Sequence, residues 1–212
     1  MRITLVDLGI QNLASVENAF RTIGAQVAVA ADAASIDEAR FLVLPGVGAF
    51  GAAAARLEIT GMAAALRRHA LERRRPLVGL CLGMQLLADG GEEDGDHHGL
   101  GLVPGRVVRL QDAPPSWRVP NIGWREVTLR ETAFPLLPRE LDGCSYYHLH
   151  SFHLQCAQVE DIAGTSRFAA GEIAAIVHRG NVFGTQFHPE KSQDAGLDLL
   201  HAVMHGLAAA AE

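Results

Sequence analysis

The sequence predicts an α/β fold: a mainly parallel central sheet with helices on both faces and an antiparallel part in the second half. Three observations carry that expectation. Short apolar runs alternate with helical segments through the first half. Short strand-like runs broken by Pro and Gly dominate the second half. A last helical stretch then closes the chain.

In chain order, residues 3–7 read as a strand ending at Asp7. Asn12 can cap a helix running to Ile23, and Gly24 stops it. Residues 26–30 and 41–44 are the second and third strands, the latter running into Pro45-Gly-Val-Gly48. Residues 52–72 are helical, interrupted near Thr60-Gly61. Residues 77–80 form a fourth buried strand, and 82–88 the helix after it. The Gly, acidic and His-rich stretch 90–99 reads as a loop. Short strands follow at 103–110, 124–129 and 146–154. Residues 172–177 and 181–187 pair as a hairpin turning at Arg179-Gly180-Asn181. A helix spans 194–207, and 208–212 are expected to fray. Neither a repeat nor a linker interrupts the pattern, so residues 1–212 are expected to form one domain.

Composition narrows the function classes. With 49% hydrophobic residues, a chain of 212 can build a real core. A formal charge of -6 offers no attraction to nucleic acid or anionic membrane. Aromatics, at 6%, are too sparse for a base-stacking surface. The 3 cysteines are odd in number and lack CxxC spacing, which fits reduced thiols better than a disulfide framework. No apolar stretch is long enough to span a membrane and no secretory pattern leads the chain, so a cytoplasmic location is expected.

The strongest chemical signal is Gly79-Leu-Cys-Leu-Gly83 at the junction of the fourth strand and its helix. A nucleophile on a sharp strand-to-helix turn needs small neighbours, as in the G-x-S-x-G elbow. A thiol there sits at a helix N-terminus, whose partial positive charge favours thiolate. Functional loops of an open parallel sheet gather beyond the carboxyl ends of its strands. Pro45-Gly-Val-Gly48 and His188 both follow such ends. Cys81 is then the nucleophile and His188 its proton partner. Glu190, two residues on in an extended strand end, would orient the imidazole. The Gly46-Val47-Gly48 backbone can offer N–H groups to an oxyanion. The implied reaction is acyl transfer through a thioester, most simply amide hydrolysis.

Other motifs have plainer readings. A cysteine in an apolar strand is ordinarily packing, and the two flanking glycines move Cys81 away from that reading. His97-His98 near Asp94 and Asp96 reads as a solvated loop rather than a metal site. No metal or cofactor is expected. Arg73-Arg-Arg75 reads as a solvated helix end, and Trp124 as a core or interface aromatic. His148, His150 and His153 have mixed strand parity, so all three cannot serve one site. Lys191 is the single lysine in an arginine-rich chain, which points either to a required ammonium beside His188-Pro-Glu190 or to chance.

Together these segments resemble the class I glutamine amidotransferases, and more closely the family of glutaminase subunits of imidazole glycerol phosphate synthase. The likeness runs through Asp7-Leu-Gly-Ile-Gln-Asn-Leu13, Leu44-Pro-Gly-Val-Gly-Ala-Phe-Gly51 and Gly79-Leu-Cys-Leu-Gly-Met-Gln-Leu-Leu87. It continues through Gly99-Leu-Gly-Leu-Val-Pro-Gly105, Val119-Pro-Asn-Ile-Gly-Trp124 and His150-Ser-Phe152, and closes with Gly184-Thr-Gln-Phe-His-Pro-Glu-Lys-Ser192.

The resemblance implies a flavodoxin-like fold and a glutaminase in a heterodimer with a (β/α)8-barrel cyclase subunit. Glutamine yields glutamate and ammonia, and a tunnel carries the ammonia to the cyclase. The products there are imidazole glycerol phosphate and an aminoimidazole carboxamide ribotide, in histidine biosynthesis. Cys81, His188 and Glu190 match the triad. Val47, Gly48 and the Leu82 backbone match the oxyanion site. Gln85, Ser151 and Phe152 match the substrate's amino-acid end. Asn12, Trp124, Tyr147 and Lys191 match the cyclase-facing surface.

Four positions depart from the usual pattern: Gln11 replaces a glycine, Asn121 a histidine, Arg125 an asparagine and Phe152 a tyrosine. Two alternatives stay open. One is the same glutaminase serving another acceptor pathway. The other is a catalytically silent interaction subunit.

Overall fold

The computed structural model describes residues 1–9, 13–111, 117–133 and 136–210. Its main sheet has nine strands in the order β2-β1-β3-β4-β13-β12-β11-β8-β9. These are β1 (Arg2–Val6), β2 (Gln26–Ala30), β3 (Leu42–Gly46), β4 (Leu77–Cys81), β8 (Asn121–Leu129), β9 (Ser145–His150), β11 (Ile162–Phe168), β12 (Gly171–Arg179) and β13 (Val182–Thr185). The half from β2 to β13 pairs in parallel. From β13 to β9 the pairing is antiparallel. The antiparallel part thus continues the same sheet.

The burial patterns follow from the layers. Every residue of β3, β4 and β13 is buried, as strands covered on both faces require. By contrast β8 alternates buried and more exposed positions, because only one of its faces meets the core. On one face lie α1 (Leu13–Thr22) and α6 (Gln193–Ala210), which bury Phe20, Leu199, Leu200 and Val203 in one cluster. On the other lie α3 (Phe50–Ile59), α4 (Met62–Arg67) and α5 (Leu82–Leu86), with Phe50, Leu57, Leu66 and Leu86 in a second cluster.

That second face also carries a small sheet, in the order β10-β7-β5-β6. It is built from β5 (Gly90–Gly91), β6 (His97–His98), β7 (Gly105–Arg109) and β10 (Phe152–Cys156). Two expectations change here. Stretch 90–99 is not simply a loop, since Gly90 and Gly91 pair with His98 and His97. The strand expected at 146–154 is two strands in two sheets, broken at Ser151, which leaves His148 and His150 apart from His153.

Two elements had no clear periodic signal. The first, α2 (Ala33–Glu38), is nucleated by Asp32, whose Oδ1 accepts from Ser35 N at 2.8 Å. The second, β11, is a Gly- and Ser-containing strand that draws its order from β8 and β12 on either side. The closing helix runs through Ala210, so residues 208–210 are helical rather than frayed. The expected cap at Asn12 lies outside the described residues.

Candidate active site

Glycine at two positions makes the turn after β4 possible. A Cβ on Gly83 would lie 1.7 Å from Leu44 O, and one on Gly79 would lie 2.6 Å from Gly83 O. With no side chain at either position, α5 can press against β3 and β4. Between them Cys81 adopts φ 53° and ψ -108°. A non-glycine residue with positive φ costs about 1–3 kcal/mol and persists only where the surroundings enforce it. Here the buried strand and the helix on either side enforce it.

The register brings the remaining groups to Cys81. Gly46 is its partner on β3, and Thr185 on β13 pairs with Leu80. Strands three, four and thirteen are therefore neighbours, and their C-terminal loops meet at one edge. His188 N donates to Tyr147 O at 2.9 Å. Ser192 Oγ donates to His188 O at 2.6 Å and accepts from Tyr147 N at 2.9 Å. This fully buried serine ties the His188 loop to β9, a role its sequence position did not announce.

Glu190 Oε1 lies 2.8 Å from His188 Nδ1. The expected extended geometry is replaced by a 3-10 turn over Pro189–Lys191, with Pro189 opening it. The turn still returns the carboxylate to the imidazole. Since a carboxylate only accepts, Nδ1 carries the proton. Burial pushes the His188 imidazole down, but hydrogen bonds and charge from Cys81 and Glu190 outweigh it and raise the group to about 10.

A cavity of about 300 Å³ opens at this edge. Val47, Gly48, Cys81, Leu82, Gln85, Ser151, Phe152 and His188 all line it. Glu190 stands behind His188. Four further residues line it without having been given a role from the sequence: Glu93, Pro120, Leu149 and His150. Glu93 comes from the stretch between β5 and β6, where its Oε2 accepts from Phe50 N at 2.7 Å. A larger cavity of about 790 Å³, lined by Arg2, Phe41 and Pro76, holds none of these groups. It lies at the opposite, N-terminal ends of the strands, away from the thiol and imidazole.

Beside the mouth, Trp124 on β8 faces Tyr147 on β9, ring centroids 6.1 Å apart and edge-on. Trp124 is 45% exposed and Val47 41%. Lys191 is exposed on the turn that carries Glu190. Asn12, expected on the same surface, lies outside the described residues. Asp96 pairs with Arg106 at 2.7 Å. Among the described residues no group of three or more His, Cys, Asp or Glu could hold a metal ion.

A family model described as glutamine amidotransferase class-I matches residues 4–202. The chain belongs to the class-I glutamine amidotransferases. Within that family it groups with the HisH subunits of imidazole glycerol phosphate synthase. It is 40% identical over 204 residues to HisH 2 of Nitrobacter winogradskyi, covering 94% of this chain and 95% of that one. It is 42% identical over 202 residues to HisH of Salinibacter ruber, covering 93% and 91%.

Solved structures share the fold at lower identity. PurLQS from Thermotoga maritima superposes with TM-score 0.71 at 17% identity, covering 96% of this chain and 97% of that one. The glutaminase domain of Trypanosoma brucei CTPS gives 0.66 at 16% identity, covering 97% and 94%. These likenesses show the shared α/β fold.

Proposed function

We propose that this amidotransferase subunit hydrolyses glutamine at Cys81 and passes the ammonia to a (β/α)8-barrel cyclase subunit in a heterodimer. The observation that carries this is the convergence of Cys81, His188 and Glu190 at one cavity in a chain of this family. Cys81 Sγ attacks the side-chain amide carbon of glutamine. The oxyanion that forms is held by the Leu82 N–H and by the Gly46-Val47-Gly48 peptides. His188 gives its proton to the departing nitrogen, and ammonia leaves a thioester. His188 then takes a proton from water, which attacks the thioester. Glutamate leaves and the thiol is restored. Glu190 holds the imidazole in its Nδ1–H form and stabilises its charge.

The cavity suits an amino acid. Glu93 supplies a carboxylate for the α-ammonium group, and Gln85, Ser151 and Phe152 frame the same end. The partner docks on the face around Trp124, Tyr147 and Lys191, where Ile122 and Leu149 are also exposed. Among the described residues no helix is long and apolar enough to cross a membrane, which fits a biosynthetic subunit working in the cytoplasm. The ammonia meets the phosphoribulosyl formimino acceptor in the cyclase and yields imidazole glycerol phosphate and the aminoimidazole carboxamide ribotide.

Gly48 has φ +103° and open space where a Cβ would stand, at a mouth-lining segment whose Val47 is partly exposed. That segment can turn its N–H toward the oxyanion only once the partner closes over it. Glutamate release is measured on the chain alone and with a cyclase subunit, with and without acceptor ligand. Low basal release and strong stimulation by liganded partner are expected. High release from the isolated chain removes the gating, and release indifferent to the partner removes the pathway.

A further inference from the structure

A continuous line of hydrogen bonds runs from Arg125, near the surface, to the thiol of Cys81. Arg125 Nε donates to Asn121 Oδ1 at 3.1 Å. Asn121 Nδ2 lies 3.1 Å from His150 Nε2. His150 Nδ1 lies 2.9 Å from Phe152 O, which also accepts from Gln85 Nε2 at 2.9 Å. Gln85 Nε2 reaches Gln186 Oε1 at 3.3 Å, and Gln186 Nε2 lies 3.9 Å from Cys81 Sγ. Asn121, His150, Gln85 and Gln186 are all buried.

The polarity of this line is decided at its fixed points. A guanidinium only donates and a carbonyl only accepts. From the Arg125 end, Asn121 must turn its oxygen to Arg125 and its nitrogen to His150, so His150 Nε2 must be a lone pair. From the Phe152 end, His150 Nδ1 must carry the proton. Both requirements name one tautomer, the neutral Nδ1–H imidazole. His148 Nδ1 lies 3.1 Å from the same His150 Nε2, and with that nitrogen a lone pair it is His148 that donates. A proton on His150 Nε2 would face the amide hydrogen of Asn121. Burial works in the same direction, lowering His150 to about 4.

Beyond Phe152 the same logic continues. Gln85 must present its nitrogen to that carbonyl, and both of its amide hydrogens are then used, on Phe152 O and Gln186 Oε1. Only Gln85 Oε1 is left for a ligand in the cavity. Gln186 in turn presents its nitrogen to the sulfur.

We propose that His150 is a positioning residue: locked as the Nδ1–H tautomer by Asn121 and the Phe152 carbonyl, it holds that carbonyl, which turns Gln85 Oε1 toward the substrate. The proposal rests on the glutaminase reading above. It places Asn121 and Arg125, two departures from the family pattern, in a working network. It also accounts for two buried histidines on one face of β9 that the triad does not use. The ligand group it prepares for is a hydrogen-bond donor, such as the α-ammonium group of an amino acid, because Oε1 cannot donate.

The test compares His150→Leu, which removes both ring nitrogens, with His150→Asn, whose amide N–H replaces Nδ1–H. Each is assembled with a cyclase subunit and assayed for glutamine turnover, with thermal melting as the check on folding. His150→Leu is expected to raise the KM for glutamine at least tenfold with kcat changed less than threefold. His150→Asn is expected to stay within threefold of the wild type in both. An unchanged KM in folded His150→Leu, or equal damage in both variants, overturns the proposal. If His150→Leu does not fold, Asn121→Ala takes its place. A rise in KM of at least threefold at constant kcat is then expected, and an unchanged KM overturns the idea. Nitrogen-15 spectra of the wild-type complex should show neutral His150 protonated at Nδ1 near pH 6, and an Nε2–H form is fatal to it. An inactive wild-type complex instead rejects the glutaminase reading, so the two failures are distinct.

Discussion

Cys81 is the residue on which the proposed chemistry rests. It is 6% exposed, has a positive φ and stands at the crossing of three loops. Its hydrogen-bond partner His188 is raised to about 10 against the pull of burial because Cys81 and Glu190 both favour the imidazolium. Removing the thiol should therefore have two readable effects. In a complex with the cyclase subunit, Cys81→Ala should lose glutamine-dependent turnover by on the order of 10⁴-fold or more, while turnover with free ammonia persists. The same variant should lower the His188 titration from about 10, because one of its two partners is gone. Loss of ammonia-dependent turnover in an assembled mutant would contradict the division of labour. A His188 titration that does not move would remove Cys81 as its partner.

At the scale of the element, the decisive object is the β4–α5 junction. The helix is only Leu82–Leu86, too short to hold its place by propensity. Its position comes from contact with β3, where Gly83 meets Leu44 O and Gly46 meets the Leu82–Gly83 backbone. Gly83→Ala puts a methyl carbon 1.7 Å from a backbone oxygen that has no side-chain freedom to give way. Overpacking of this kind typically costs about 1–3 kcal/mol, and backbone against backbone belongs at the upper end. Urea titration should show that loss of stability, and alkylation of Cys81 by iodoacetamide should change rate as the elbow shifts. Wild-type stability and reactivity in Gly83→Ala would mean that the glycine is not required by packing. The 3-10 turn after His188 works in the same way. Ser192 bridges it to Tyr147, so β9 supports the imidazole from behind while its Leu149 and His150 line the cavity.

Across the whole molecule, the buried histidines link stability to pH. His69 and His150 are lowered to about 4 and His148 well below its ordinary value, each chiefly by burial. In the unfolded chain these rings take up protons near 6.5, whereas in the fold they stay neutral. Their stabilisation is therefore complete above about pH 6.5 and is lost as the pH falls toward 4. Each ring contributes a slope of about 1.4 kcal/mol per pH unit in that window. Nε2 of His69 sits 3.0 Å from Pro76 O, and a glutamine can offer an amide N–H to the same carbonyl. His69→Gln should thus flatten the pH dependence of the urea midpoint between 6.5 and 4. An unchanged slope would show that His69 titrates alike in both states. The same global scale governs the site, because its groups come from both halves of the chain and meet only when the parallel half and the hairpin half share one sheet.

The sequence alone determined what is local. Fully apolar 77–80 had to be a covered strand, the glycines around Cys81 had to mark a crowded turn, and Arg179-Gly180-Asn181 had to reverse the chain. Those features follow from backbone sterics and side-chain period, which act over a few residues. The family likeness added the chemistry expected at Cys81, His188 and Glu190. Only the tertiary structure decided what depends on distant neighbours. It ordered β11, which has little apolar pattern of its own, and drew His97-His98 into a second sheet. It split 146–154 at Ser151, sending His150 and Phe152 to different sheets while one hydrogen bond still joins them. Glu93, His150, Gln186 and Ser192 reached the site by register and packing between strands far apart in the chain. No spacing along the sequence encodes such contacts, because their energy exists only once the sheet has closed around them.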